Sequence, residues 1–157
     1  MSQFNSFFIA TGSNLGDRLL NLNEAKSHLQ KHFSLISESR VYDSAAVDYV
    51  DQPNFYNQVL EFELTSDNPE TVMAFLLSIE KIMGRNRIIP KGPRLIDIDI
   101  LFWGLEKIKT PNLEIPHPRL FERSFVVLPL SELPGFKILE SHFNFNYSFD
   151  NHANALS

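Results

Sequence analysis

Between residues 96 and 102 the chain alternates with a period of two: Ile96, Ile98, Ile100 and Phe102 are apolar, and Asp97, Asp99 and Leu101 fall between them. That period belongs to an extended strand with one face in a core, and it restricts what can be built around it. The apolar side chains need helices packed against them. The two carboxylates, at i and i+2, must then project side by side from the other face, with Cα atoms about 7 Å apart. Like charges at that separation repel by about 2 kcal/mol at an effective dielectric of 20, so something positive has to offset them. Hard oxygen donors so spaced suit one Mg²⁺, or two ions about 4 Å apart. The alternative is a solvated strand face balanced by Arg94.

The charge balance sharpens this contrast. The chain has 14 Lys and Arg against 19 Asp and Glu, a net charge of −5, which argues against general binding to nucleic acid or to anionic membranes. Against that background, Arg85, Arg87, Lys91 and Arg94 gather in a loop with two prolines and a glycine that runs straight into the aspartate strand. Guanidinium forks match phosphate oxygens bidentately. There is no cysteine, which removes disulfides, thiolate zinc sites and thiol nucleophiles. With 157 residues and 43% hydrophobic content, one domain with a real core is expected. No apolar run reaches the length of a membrane span. Met1 to Asn5 lacks a basic stretch leading into an apolar one, so the expected location is cytoplasmic.

Read in order, Ser6 to Thr11 is a buried first strand. Gly12-Ser13-Asn14-Leu15-Gly16-Asp17 then opens a helix, with Asn14 as the expected cap, Asp17 three residues on, and Leu15, Leu19, Leu22, Leu29 and Phe33 at helical spacing. This turn lacks the Gly-Lys-Ser/Thr ending of a phosphate loop. Ser34 to Tyr42 reads as a second strand, and residues 43–54 as a loop long enough to suggest binding or mobility. Phe55 to Leu64 is a third strand, with Phe55, Asn57 and Val59 on one face. An aromatic beside an amide suits a flat heterocycle, though an Asn that satisfies loop backbone is as common. Asn68-Pro69 starts a second helix with Val72, Leu76, Ile79 and Met83 inward, and Gly84 ends it. Trp103-Gly104 turns the chain, and Leu120 to Leu133 reads as a third helix bearing Arg123 and Phe125. His117 alone suggests a structural histidine; near phosphate it would donate to oxygens. In the tail, Phe143, Phe145, Tyr147 and Phe149 alternate with polar residues, which predicts an edge strand or a contact surface, and residues after Asp150 are expected to be disordered.

Five of these motifs, in this order and spacing, resemble the 6-hydroxymethyl-7,8-dihydropterin pyrophosphokinase family. They are Gly12-Ser13-Asn14-Leu15-Gly16; Asp51-Gln52-Pro53 through Asn57; Gly84-Arg85-x-Arg87; Gly92-Pro93-Arg94-x-x-Asp97-x-Asp99-Ile100-Leu101; and Pro116-His117-Pro118-Arg119. The resemblance runs to about Leu133. It implies an α+β, ferredoxin-like sandwich: an antiparallel sheet with helices packed on one face, in line with the β-α-β-β-α-β order. It implies transfer of the β,γ-diphosphate of ATP to the pterin hydroxymethyl oxygen with release of AMP, in folate biosynthesis.

By the resemblance, Asp97 and Asp99 hold two Mg²⁺, and Arg85, Arg94 and Asp97 are catalytic. ATP is met by Arg85, Arg87, Arg94, Ile100, His117 and Arg123, with Arg85 and Arg87 on a closing lid. The pterin is met by Ser44, Ala45, Val47, Phe55, Asn57 and Phe125, the two phenylalanines forming a sandwich. There are departures from the family pattern: the lid looks one residue shorter, Lys91 stands where many members carry Trp, Phe55 replaces a frequent Tyr, and Leu77 a frequent Gln. Residues 1–157 are read as one domain, with the part after about residue 134 unassigned. A monomer is expected, with a dimer through the tail as the alternative. Two other functions compete: a ferredoxin-like module that binds RNA or a small ligand, and a two-metal phosphohydrolase. The acidic charge and the missing RNA-binding aromatic motif speak against RNA.

Overall fold

The computed structural model describes residues 4–46, 51–84 and 94–156. Val47, Arg85, Arg87 and Lys91 therefore lie outside the described residues.

The central strand β1, Ser6–Ser13, is buried on both faces except at Ala10, which is half-buried. Helix α1, Arg18–Gln30, follows, then β2, Leu35–Glu38, and β3, Tyr42–Ser44. The long strand β4, Phe55–Glu63, leads to helix α2, Pro69–Ile82, and to β5, Asp97–Trp103. The strands hydrogen-bond in the order β5-β1-β4-β3, with β2 also on β4, and every pairing is antiparallel. This is the ferredoxin-like arrangement, in which two split β-α-β units interleave. A small hairpin, β6 Ile108–Thr110 with β7 Leu113–Ile115, follows β5. Pro118–Glu122 forms a 3-10 turn, and two short helices close the domain, α3 Ser124–Leu130 and α4 Phe136–His142. Among the described residues, no helix is long and apolar enough to cross a membrane.

Helix α2 is built as its sequence predicts. Asn68 accepts from the Thr71 N–H at 2.8 Å, Pro69 occupies the first turn, and Val72, Leu76, Ile79 and Met83 are buried. Gly84 stops it at φ +89°, a conformation only glycine takes without strain. Helix α1 departs from its prediction. Its cap is Asp17, which accepts from the Leu20 N–H at 3.1 Å, and Leu15 and Leu19 are exposed. Asn14 lies before the helix and is committed elsewhere.

The predicted single strand over 34–42 is two. Ser39 breaks it: its N–H donates to Val59 O and its hydroxyl accepts from Val59 N, both at 2.9 Å, so β4 stays paired while the partner chain kinks.

A second difference lies in β5. The register slips between Phe8 and Ile9, which pair with Phe102 and Ile100 and leave Leu101 as the extra residue. Ile98 and Ile100 therefore join the core under α1 and α2, whereas Phe102 turns to the opposite face with Phe8 and Val59.

That opposite face explains why helices are not confined to one side. Helices α1 and α2 cover one face, as expected. On the other, Phe8, Val59, Leu101 and Phe102 make one end apolar, and α3, α4 and Phe143 cover it through Val126, Leu130, Leu133, Phe136 and Leu139. The far end of that face carries Ala10, Gly12, Asn57, Asp97 and Asp99, which gain nothing from apolar cover, and it remains open.

Residues 151–156, for which disorder was expected, are among the described residues and include a strand. Phe143 and Phe145 pack on the second core rather than pairing as a strand, and Ala153–Ala155 forms an edge strand, β8, antiparallel to β3.

Candidate active site

Strand parity selects the side chains that face the open end. On β4 these are Phe55 and Asn57, and on β5 Asp97 and Asp99. Between them on β1 stand Ala10, opposite Asp99, and Gly12, opposite both Asp97 and Asn57. The middle strand thus presents at most a methyl group. A Cβ on Gly12 would lie 3.3 Å from Asn57 Oδ1 and 3.7 Å from the Phe55 ring. The bare floor creates a cleft of about 440 Å³.

Every sequence-predicted site residue within the described residues lines this cleft: Ser44, Ala45, Phe55, Asn57, Arg94, Asp97, Asp99, Ile100, His117, Arg123 and Phe125. They come from four regions of the chain, so the cleft brings together residues that only a tertiary fold can gather. Val47, Arg85 and Arg87 lie outside the described residues. The sequence reading missed Gln52 and the hairpin residues Asn112 and Glu114, which also line it. Gln52 had a signal, its place in the Asp-Gln-Pro motif; the hairpin pair had none.

The carboxylate pair is asymmetric. Asp97 is half-buried and takes an ion pair from Arg94 Nη1 at 2.9 Å, while Asp99 is exposed. Arg94 is itself tightly held. Its guanidinium lies 5.4 Å from the Phe55 ring centroid, a cation–π distance. Among the described residues its Nε is buried with no hydrogen-bond partner, so the guanidinium keeps donor capacity. Behind the pair, the Ile98 N–H donates to Glu80 of α2 at 2.8 Å, which fastens the outer edge of β5.

On the opposite wall, Asn57 Nδ2 donates to the Ser44 hydroxyl at 2.8 Å. The amide is thus oriented by the Ser44 side chain of β3. His117 Nδ1 accepts from the Arg119 N–H at 3.2 Å, which makes Nε2 the donor of the neutral ring. Arg123 and Phe125 flank the start of α3 and form the third wall.

Among the described residues, no cluster of three or more His, Cys, Asp or Glu is suited to hold a metal. Two carboxylates over a bare floor fit a cation that takes its remaining ligands from phosphate oxygens and water, which is how Mg²⁺ is usually held. The same space offers guanidinium and imidazole donors for an anion, and an aromatic and an amide for a planar ring.

A family model for 7,8-dihydro-6-hydroxymethylpterin-pyrophosphokinase matches residues 8–135. The chain is 43% identical over 129 residues to the folic acid synthesis protein fol1 of Pneumocystis carinii, covering 82% of this chain and 17% of that protein. It is 40% identical over 131 residues to the 2-amino-4-hydroxy-6-hydroxymethyldihydropteridine pyrophosphokinase of Bacillus subtilis, covering 82% and 78%. It therefore spans less than a third of the length of the first of these relatives. Among solved structures, wild-type Plasmodium falciparum HPPK-DHPS with pterin and p-hydroxybenzoate superposes with a TM-score of 0.62 at 15% identity, covering 85% of this chain and 40% of that one. At that identity the likeness speaks for the fold alone.

Proposed function

The chain belongs to the 7,8-dihydro-6-hydroxymethylpterin-pyrophosphokinase family, and from that premise we propose that it transfers the diphosphate of ATP to the hydroxymethyl group of 6-hydroxymethyl-7,8-dihydropterin, releasing AMP, in folate biosynthesis. One observation carries the reading. A single cleft joins an Asp pair, a phosphate-matching Arg94 and His117, and an aromatic–amide wall of Phe55 and Asn57.

In this reaction the pterin hydroxyl oxygen bonds to the β-phosphorus. The bond from that phosphorus to the oxygen bridging the α-phosphate breaks, and AMP leaves. Catalysis of such a step is mainly positioning and electrostatics. Phe55 and Phe125 sandwich the pterin, Asn57 reads its edge, and Ser44 and Ala45 offer backbone groups to it. Arg94, His117 and Arg123 donate to the phosphates, and Ile100 contacts the nucleotide. Asp97 would assist by accepting the hydroxyl proton. Asp97 and Asp99 would hold two Mg²⁺, which, when bound, neutralise charge on the triphosphate. Arg85, Arg87 and Val47, outside the described residues, belong to the same proposal: the two arginines as a lid over the phosphates and Val47 beside the pterin. A cytoplasmic, monomeric protein of one domain completes it.

The test is AMP formation from Mg-ATP with and without 6-hydroxymethyl-7,8-dihydropterin. Pterin-dependent AMP with no free phosphate supports the transfer. Phosphate release without pterin points to a phosphohydrolase, and no Mg-ATP binding by calorimetry points to a non-enzymatic module.

A further inference from the structure

The chain beyond residue 135 lies past the family match, yet it returns to Ser44, which lines the cleft, and to Ser124, which stands between Arg123 and Phe125, two residues that line it. Asn151 Oδ1 accepts from the Ser124 N–H at 2.8 Å and from the Ser124 hydroxyl at 2.5 Å, and Asn151 Nδ2 donates to the Glu122 carbonyl at 2.9 Å. These three bonds bracket Arg123. Helix α3 has no side-chain cap of its own, because the residue at its start is Arg123; Asn151 supplies one from 27 residues away. Two residues later β8 begins, and Ala153 pairs with Ser44. Ser44 in turn orients Asn57. Five consecutive residues therefore tie the Arg123–Phe125 wall to the Ser44–Asn57 wall.

We propose that Asn151 is a positioning residue that sets the separation of these two walls and thereby the affinity for the planar heterocyclic substrate. The inference rests on the pterin-transfer reading above. A planar ring between Phe55 and Phe125 needs two stacking contacts of roughly 3.5 Å each, so a small outward drift of one wall forfeits much of the contact. Phe55 is anchored in the sheet. Phe125 rides on a short helix whose start is fastened to the sheet edge through Asn151 and β8. Among the proposed nucleotide contacts, Arg94, Asp97, Asp99 and Ile100 lie on β5 or its approach, which Asn151 does not touch, whereas His117 and Arg123 border Glu122, which it does; the nucleotide should therefore depend on it in part, and less than the pterin.

The experiment compares wild type, Asn151→Ala and Asn151→Asp by KM for the pterin, KM for Mg-ATP, kcat and Tm. Asn151→Ala should raise the pterin KM about tenfold, in line with the loss of hydrogen bonds worth little more than 1 kcal/mol, with a smaller change for ATP. Asn151→Asp keeps both acceptor contacts to Ser124 and should fall between the other two. A merely structural role would lower Tm and leave the pterin KM of the folded protein unchanged, and that result overturns the proposal. If Asn151→Ala does not fold, Asn151→Asp decides, since a wild-type pterin KM there overturns it too. A wild-type protein that makes no AMP from ATP and pterin would instead sink the functional reading and take the inference with it.

Discussion

Asn14 and Arg94 hold each other at both ends: the Asn14 N–H donates to the Arg94 carbonyl at 3.1 Å, and Asn14 Oδ1 accepts from the Arg94 N–H at 2.7 Å. The same side chain donates to Gln52 Oε1 at 2.7 Å and to the Pro53 carbonyl at 3.1 Å. One buried amide thus joins the end of β1, the approach to β4 and the residue that pairs with Asp97.

Asn14→Ala should cost about 1–3 kcal/mol of stability, because it removes a buried amide and its bonds to the half-buried Arg94 N–H, to Gln52 and to the Pro53 carbonyl. Turnover should fall as well, since Arg94 loses its anchor. Chemical denaturation and a steady-state assay measure the two effects, and an unchanged midpoint would show that water replaces the amide.

Asp97→Ala and Asp99→Ala should each lower AMP formation by about 10²-fold or more, the scale of losing a group that stabilises transition-state charge. Neither should unfold the protein, since Asp99 is exposed and Asp97 half-buried. Near-normal AMP production by both variants would reject the metal role, as would full activity in excess chelator.

Gly135→Ala should destabilise by roughly 1–3 kcal/mol through overpacking. The added Cβ would stand 2.7 Å from Glu61 Oε2, 2.8 Å from Phe8 Cζ and 2.9 Å from Phe4 Cζ. Glu61 is buried and accepts from the Gly135 N–H at 3.0 Å and the Ser6 hydroxyl at 2.7 Å, so it has little room to yield. A thermal melt equal to wild type would mean that α4 shifts freely.

Acid should erode a contribution from Glu132. Burial pushes its carboxyl up, but bonds from the Tyr42 hydroxyl, the Arg40 N–H and the Arg40 guanidinium outweigh this and hold it below its ordinary 4.5. A depressed folded value means that the stabilisation is complete above 4.5 and disappears as pH falls through the lower value. Arg40 is half exposed, so the effect is modest. Glu132→Gln should flatten this part of the acid limb in a stability-against-pH series; an unaltered limb would exclude it.

Much of the site was legible because strand parity is local. The i, i+2 rule puts Asp97 with Asp99 and Phe55 with Asn57 whatever the rest of the chain does, and the structure sets both pairs on the open face. The slip at Leu101 escaped the same rule, because a bulge answers to the neighbouring strand rather than to its own sequence. Asn14 shows the limit from another side. As a short amide before a helical pattern it reads as a cap, but Asp17 takes that role, and Asn14 finds better partners 38 and 80 residues away.

By itself, then, the sequence determined the strands with a period of two, the capped helix α2 and the side chains that share a strand face, since each depends on residues a few positions apart. Only the tertiary structure decided that the second sheet face is half covered, that Arg40, Tyr42 and Glu132 form one cluster, and that Asn151 reaches Ser124. Those contacts join segments remote in the chain, each with several chemically equivalent partners on offer. Packing of the whole core, rather than any local preference, selects among them.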